Sequence, residues 1–322
     1  GFFHAHIKMA TWARILDGNK FGAWFEYIIK PANKLSDKET KWNSELTKKL
    51  DDILKPFFEG NPNGDWVEID GVRYNLQQRF VIALNAGNEV NLQRIMDGNG
   101  FTREQIGKIM ASLTDGQLAA VQRIWDLFES LRPEIAKLEY KLNGKEPNWT
   151  EPVPIEVERP DGSKVTLRGG HYPITYDYTS PGAASSAIAR DMENAEKAAL
   201  EGGHTGTTTT RTYTKDRSDK GLGIPVSTAL EPMFSKLQEV VHDLTWREFL
   251  LDMQRLRADS KAEDGTVIPG ITSTISAYYG ATAAKQFDAW LQNIAYGNRR
   301  PPSGSLDQFA SRLRRGVSIS GL

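Results

Sequence analysis

Two helix-start signals, each followed by a long apolar stripe, constrain this chain more than any other feature. Thr102 with Gln105 and Thr114 with Gln117 both fit the Thr-x-x-Gln capping box, in which the Thr hydroxyl and the Gln side chain satisfy each other's free backbone amides. After the first, Ile106, Ile109, Met110 and Leu113 lie on one helical face. After the second, Leu118, Val121, Ile124, Trp125, Phe128, Leu131, Ile135, Leu138 and Leu142 keep a period near 3.6 for about 25 residues, with Pro133 expected to kink the helix. Stripes of this kind must be buried against other helices, so the expected fold class is mainly α, a multi-helix protein.

The flanking sequence extends that reading. Trp12, Ile15 and Leu16, then Phe21, Trp24, Phe25 and Ile28, predict two helices broken at Asp17-Gly18-Asn19. Lys34 to Phe58 is rich in Lys, Glu and Asp, with Leu46, Leu50, Ile53, Leu54 and Phe57 on one stripe, and predicts an amphipathic helix that stops before Gly60-Asn61-Pro62-Asn63-Gly64. Asn75 to Ala86 reads as a further helix. Two β-hairpins are expected. The first runs from Trp66-Val67-Glu68-Ile69 across Asp70-Gly71 to Val72-Arg73-Tyr74; the second joins Ile155 and Val157 to Val165 and Leu167 across Pro160-Asp161-Gly162.

Ala183 to Leu200 reads as helix, Thr205 to Lys220 as a long Thr-rich loop or arm, and helices return from Thr228. The expected organisation is therefore a helical domain over 1–148, a segment over 149–222 with hairpin, Gly/Tyr corner and arm, and a C-terminal helical part over 223–322 that packs on the first.

Composition excludes several function classes. Of 322 residues, Lys plus Arg number 40 and Asp plus Glu 41, a net charge of −1, so no global field draws the chain to nucleic acid or anionic lipid. Cys is absent, which removes disulfides, thiolate nucleophiles and Cys-containing metal sites. No stretch reaches the length of apolar sequence needed to span a bilayer. Gly1 without a preceding Met, and a tail that turns apolar at Val317, Ile319 and Leu322, suggest a piece of a longer polypeptide.

Motif chemistry is sparse. Gly100 to Lys108-Ile109 has the wrong spacing for a phosphate loop and Ile where a hydroxyl is required. Asp97-Gly98-Asn99-Gly100 lacks the later ligands of a calcium loop and is read as a turn between helices. His4 and His6 would diverge on a helix, and His204 has no acidic neighbour in sequence. No metal and no cofactor is expected.

Two clusters stand out as interaction candidates. Gly169, Gly170, His171, Tyr172, Tyr176 and Asp177 form a knot of glycines and aromatics, open to reading as a gripping surface or as an internal packing corner. His242, Asp243, Trp246 and Arg247 sit on one helical run, with Asp243 and Arg247 one turn apart and expected to form a buried structural pair. An unrecognised hydrolase would have to use His171, Tyr176 and Asp177, or His242. Arg211 and Arg217 in the Thr-rich arm, with Arg299, Arg300, Arg312, Arg314 and Arg315 at the end, are the candidates for DNA phosphate contact. They support an alternative reading as a nucleic-acid-binding module, although no aromatic platform is interleaved with them.

The string Gly169-Gly170-His171-Tyr172-Pro173-Ile174-Thr175-Tyr176-Asp177 resembles the GGYYPxxYD element of large polyvalent proteins encoded by phages and mobile elements, and His242-Asp243-Leu244-Thr245-Trp246-Arg247-Glu248 resembles their HDxTxRE helix. Leu84 to Gly100, the Trp125 helix and Trp290-Leu291-Gln292-Asn293-Ile294-Ala295 fall in the matching order, so the resemblance covers most of the chain. It departs at His171, where the family often has Tyr, and at Trp246, where a second His is common.

The resemblance implies a structural or interaction region of an internal virion protein of the ejection type. Such a region lies in the virion interior and is delivered with the DNA to the host envelope or cytoplasm. Its implied partners are other regions or copies of the same long protein and other virion, portal or ejection proteins. It carries no catalytic residues to transfer, so this segment is not expected to be an enzyme.

Overall fold

The computed structural model describes residues 16–18, 20–61, 63–177 and 224–296. The helix expected over Ala183 to Leu200 and the Thr-rich arm lie outside the described residues, as do Arg211, Arg217, Arg299, Arg300, Arg312, Arg314 and Arg315. The fold is mainly helical, with small two-stranded antiparallel sheets. The described residues divide into two compact units, the first holding 16–44 and 241–296 and the second 45–177 and 224–240. The cuts at 44/45 and 240/241 fall inside long helices.

In unit 1, Asp17 accepts the backbone amides of Gly22, Trp24 and Phe25 at 2.9, 3.0 and 3.0 Å, satisfying donors that a helix start otherwise leaves free. One π-helical stretch, Phe25–Ile29, leads directly into α1, Lys30–Phe58. Ile28, Ile29 and Ala32 join Trp246, Phe249, Leu250 and Met253, then Ile275, Ala283, Ala284, Phe287, Leu291 and Ala295, in a single apolar core. Trp24 meets Phe287 edge-on at 5.9 Å, and Phe249 meets Trp290 likewise at 6.3 Å, the tilted arrangement that aromatic quadrupoles favour.

Unit 2 begins with the second part of α1, which is followed by the first hairpin, β1 (Trp66–Ile69) paired with β2 (Val72–Asn75) in the register Ile69 to Val72. Asp70 at φ 52° and Gly71 at φ 78° make the turn that an Asp-Gly pair predicts. α2 (Leu76–Asn85), α3 (Glu89–Asn99), α4 (Arg103–Ala111) and α5 (Asp115–Glu129) follow in quick succession. Both capping boxes form as expected, and Asn75 with Gln78 makes a third that sequence reading did not single out. Asp97 to Asn99, expected as a turn between helices, are instead the last turn of α3, and the chain leaves the helix at Gly100 in the left-handed conformation.

The stripe after Thr114 differs from expectation. It is two helices, α5 and α6 (Arg132–Asn143), broken at Ser130 and Leu131. Pro133 stands in the first turn of α6, where its missing N–H would have had no helical partner, so it starts a helix instead of kinking one.

The second hairpin, β3 (Ile155–Glu158) with β4 (Lys164–Leu167), has the expected register of Val157 opposite Val165. Arg159 ties it to the α4–α5 corner by donating to the carbonyls of Ala111 and Leu113 and pairing with Asp115. α7 (Glu231–Arg257) runs from unit 2 into unit 1 and is followed there by α8 (Ile271–Tyr279) and α9 (Ala281–Tyr296). Between α7 and α8 lies a hairpin that was not expected, β5 (Ser260–Lys261) with β6 (Val267–Ile268), closed by the Gly265 amide on the Ala262 carbonyl.

Candidate functional site

The first candidate cluster is an internal corner of unit 2. Gly169, Gly170, His171 and Tyr172 are all buried, while Tyr176 and Asp177 are half-buried, so the cluster does not present the gripping surface that was one of its two readings. The physical reason is a close crossing of backbones. The Gly87 carbonyl accepts the amides of Val153 and Gly170 at 3.1 and 2.9 Å, and Trp125 lies across the crossing with its indole N–H on the Leu84 carbonyl at 2.9 Å. A Cβ on Gly170 would stand 2.4 Å from the Trp125 Cβ, and one on Gly87 would stand 2.5 Å from the indole ring, so only glycine fits either strand of the crossing.

Buried amides then hold the segment from the other side. Asn88 caps α3 through its Oδ1 and donates Nδ2 to the Gly170 carbonyl at 3.2 Å, and Asn91 donates to the Tyr172 carbonyl at 2.8 Å. Arg94, also buried, donates to the Tyr176 hydroxyl at 2.6 Å. The His171 backbone amide donates to Glu129, whose carboxyl is pushed up by burial despite that bond and the nearby Arg132. Burial also pushes the Tyr172 phenol up.

Beyond the corner the chain forms a stem. Tyr176 and Val226 make an antiparallel bridge, the Asp177 amide donates to the Pro225 carbonyl at 2.7 Å, and the Ser227 amide donates to the Thr175 carbonyl at 2.8 Å. Asn99 takes the place of a neighbouring strand there. Its Nδ2 donates to the Val226 carbonyl at 3.0 Å and its Oδ1 accepts the Val226 amide at 2.9 Å.

The second candidate cluster belongs to unit 1 and is equally enclosed. Asp243 and Arg247 form the expected buried ion pair one helical turn apart, joined at two points of the guanidinium. Trp246 is buried in the core and His242 is only 14% exposed, so these four residues are not a free interaction surface either. Sequence reading missed the residue that organises them. Glu39 on α1 accepts the Trp246 indole N–H at 2.7 Å through one oxygen and lies 2.8 Å from His242 Nδ1 through the other. Because Glu39 and His242 are 203 positions apart in sequence, no local spacing could have linked them.

The two clusters fall in different units, with His171 in the second and His242 in the first. Asp243 is paired with Arg247, and His242 with Glu39. Among the described residues no group of three or more His, Asp or Glu side chains could hold a metal ion. No helix of the described residues is long and apolar enough to cross a membrane. Compared with protein-family models, with curated proteins and with solved structures, the chain has no match.

Proposed function

We propose that the chain is a structural and interaction region of a phage internal virion protein, carried in the capsid and delivered with the DNA. Its partners on this reading are other parts or copies of the same long polypeptide, or other virion, portal and ejection proteins. One observation carries the reading: both strings that resemble the large polyvalent proteins use their polar groups to hold the fold. Gly169 and Gly170 supply the close crossing at Trp125, and Asp243 with Arg247 forms an enclosed pair. A hydrolytic centre instead needs a base within reach of a nucleophile and of substrate. Signature residues that serve packing suit a scaffold, because what they mark is a shape.

The test is location. Mass spectrometry of purified particles of a phage that encodes the chain should find its peptides, resistant to external protease until the capsid is opened. Particles that lack those peptides, while infected cells contain them, would overturn the proposal.

A further inference from the structure

Three helices of unit 1 act on one imidazole. α1 contributes the Glu39 carboxylate, 2.8 Å from His242 Nδ1. α9 contributes the backbone carbonyls of Ile294 and Ala295, which act on the same ring. The other ring nitrogen, Nε2, is enclosed and makes no hydrogen bond of ordinary length. On α7 itself the adjacent charges, Asp243 and Arg247, are engaged with each other, and Glu39 is the acid that acts on the ring among the described residues.

The ring therefore has the Glu39 carboxylate within hydrogen-bond distance of Nδ1, and on its other side carbonyl oxygens that act on it without forming a hydrogen bond to Nε2, and this decides what the site can tolerate. A neutral imidazole has one N–H and one lone pair. With the proton on Nδ1, the Nε2 lone pair faces carbonyl oxygens; with the proton on Nε2, the Nδ1 lone pair faces a carboxylate. Only the imidazolium offers a donor to each side. Glu39 is simultaneously held by the Trp246 indole, so its charge cannot swing away without giving up a second hydrogen bond.

We propose that Glu39, His242 and Trp246 form a pH-sensitive clamp, closed while the imidazole is doubly protonated, that governs how tightly the first part of α1 and α9 are held to the second part of α7.

The direction of the pH dependence follows from the opposing influences. Burial disfavours the charged ring, but the hydrogen bond and charge of Glu39, aided by the two carbonyls, outweigh it and raise His242 above 6.5. For Glu39, burial is outweighed by the bonds from His242 and Trp246 and by the positive ring, so its carboxyl falls below 4.5. The stabilisation from His242 is fully present below the unfolded value of 6.5 and is lost as pH rises through the higher folded value. That from Glu39 is present above 4.5 and is lost as pH falls through its lower folded value.

Hydrogen exchange on the whole chain between pH 6 and pH 9, corrected for intrinsic exchange, reads the clamp at peptides around residues 39, 242–246 and 294–295. Local opening should grow with pH in the wild type, by tenfold for each unit between the folded and unfolded imidazole. It should be flat in His242→Gln. Nitrogen chemical shifts of labelled histidine give a second readout that needs no variant: His242 should be protonated at both nitrogens at pH 6.5. Glu39→Gln should lower the pH at which it deprotonates. A His242 ring that is neutral at pH 6.5, or equal pH profiles for the wild type and His242→Gln, would overturn the proposal.

Discussion

Replacing Gly169 by Ala tests the crossing in unit 2, and Gly144 supplies a matched control. Both glycines are in the left-handed region, at φ 76° and 70°. A side chain in that conformation costs roughly 1–2 kcal/mol, of which about 0.4–1 kcal/mol is returned because Ala restricts the unfolded chain. Gly144→Ala adds a Cβ with nothing within 4 Å, so it should lose about 1 kcal/mol and no more. At Gly169 the same Cβ would stand 2.3 Å from the Val153 carbonyl oxygen and 2.5 Å from that of Gly87. Both are backbone atoms, and Gly87 already accepts two amides, from Val153 and Gly170.

Forcing them apart adds an overpacking cost of about 1–3 kcal/mol and weakens hydrogen bonds of about 1 kcal/mol each. Gly169→Ala should thus be roughly 2–4 kcal/mol less stable than Gly144→Ala, a large share of the ~5–15 kcal/mol of a typical protein. Urea unfolding measures the gap. A chain with two compact units need not unfold in one step, so hydrogen exchange along 115–129 identifies the transition that belongs to unit 2. Equal losses in the two variants would refute the argument that backbone contact, rather than conformation, makes glycine necessary at 169.

Other consequences can be checked as directly. Arg247→Met should cost about 3–5 kcal/mol by leaving the Asp243 charge enclosed without its partner, and Asp243→Leu in the same chain should restore most of the loss in a thermal unfolding series. Thr114→Ala should cost about 1 kcal/mol by removing the acceptor for the Gln117 amide, while Thr114→Ser should be close to neutral in the same assay. Because residues 177 and 225 are hydrogen-bonded to each other, replacing 178–223 by a short Gly/Ser turn should leave exchange protection of α2 to α5 unchanged; a collapse of that protection would show that the stem does not stand alone.

Local rules make much of this fold legible in the sequence itself. The Asp70-Gly71 and Pro160-Asp161-Gly162 turns, the Thr102 and Thr114 boxes, and the Asp243–Arg247 pair each depend on residues within a few positions of one another. What escaped depended on weak or distant signals. The Ser260–Ile268 hairpin has strands of two residues, too short for an alternation to show. Ser130 and Leu131 carry no breaker, so the stripe through Pro133 looked continuous. The asparagines that hold the Gly169 corner do have a signature: Asn85, Asn88 and Asn91 recur at intervals of three, and all three are buried. Glu39 has none, because its role exists only once α1 and α7 have met.

Asn99 gives the stem a chemical memory. It is followed by Gly100, and an Asn-Gly step is the one at which the next backbone nitrogen most readily attacks the side-chain amide and releases ammonia. While the stem is shut, both ends of that amide are held by Val226 and the Gly100 nitrogen is engaged with the Met96 carbonyl. Opening the stem frees the Asn99 amide, while the Gly100 nitrogen is released only when the last turn of α3 frays; water then hydrolyses the cyclic imide to Asp or isoaspartate, and Asp would set an acceptor against the Val226 carbonyl where a donor had been. Such ageing would be irreversible, leaving in each molecule a covalent record of an excursion the folded state otherwise erases.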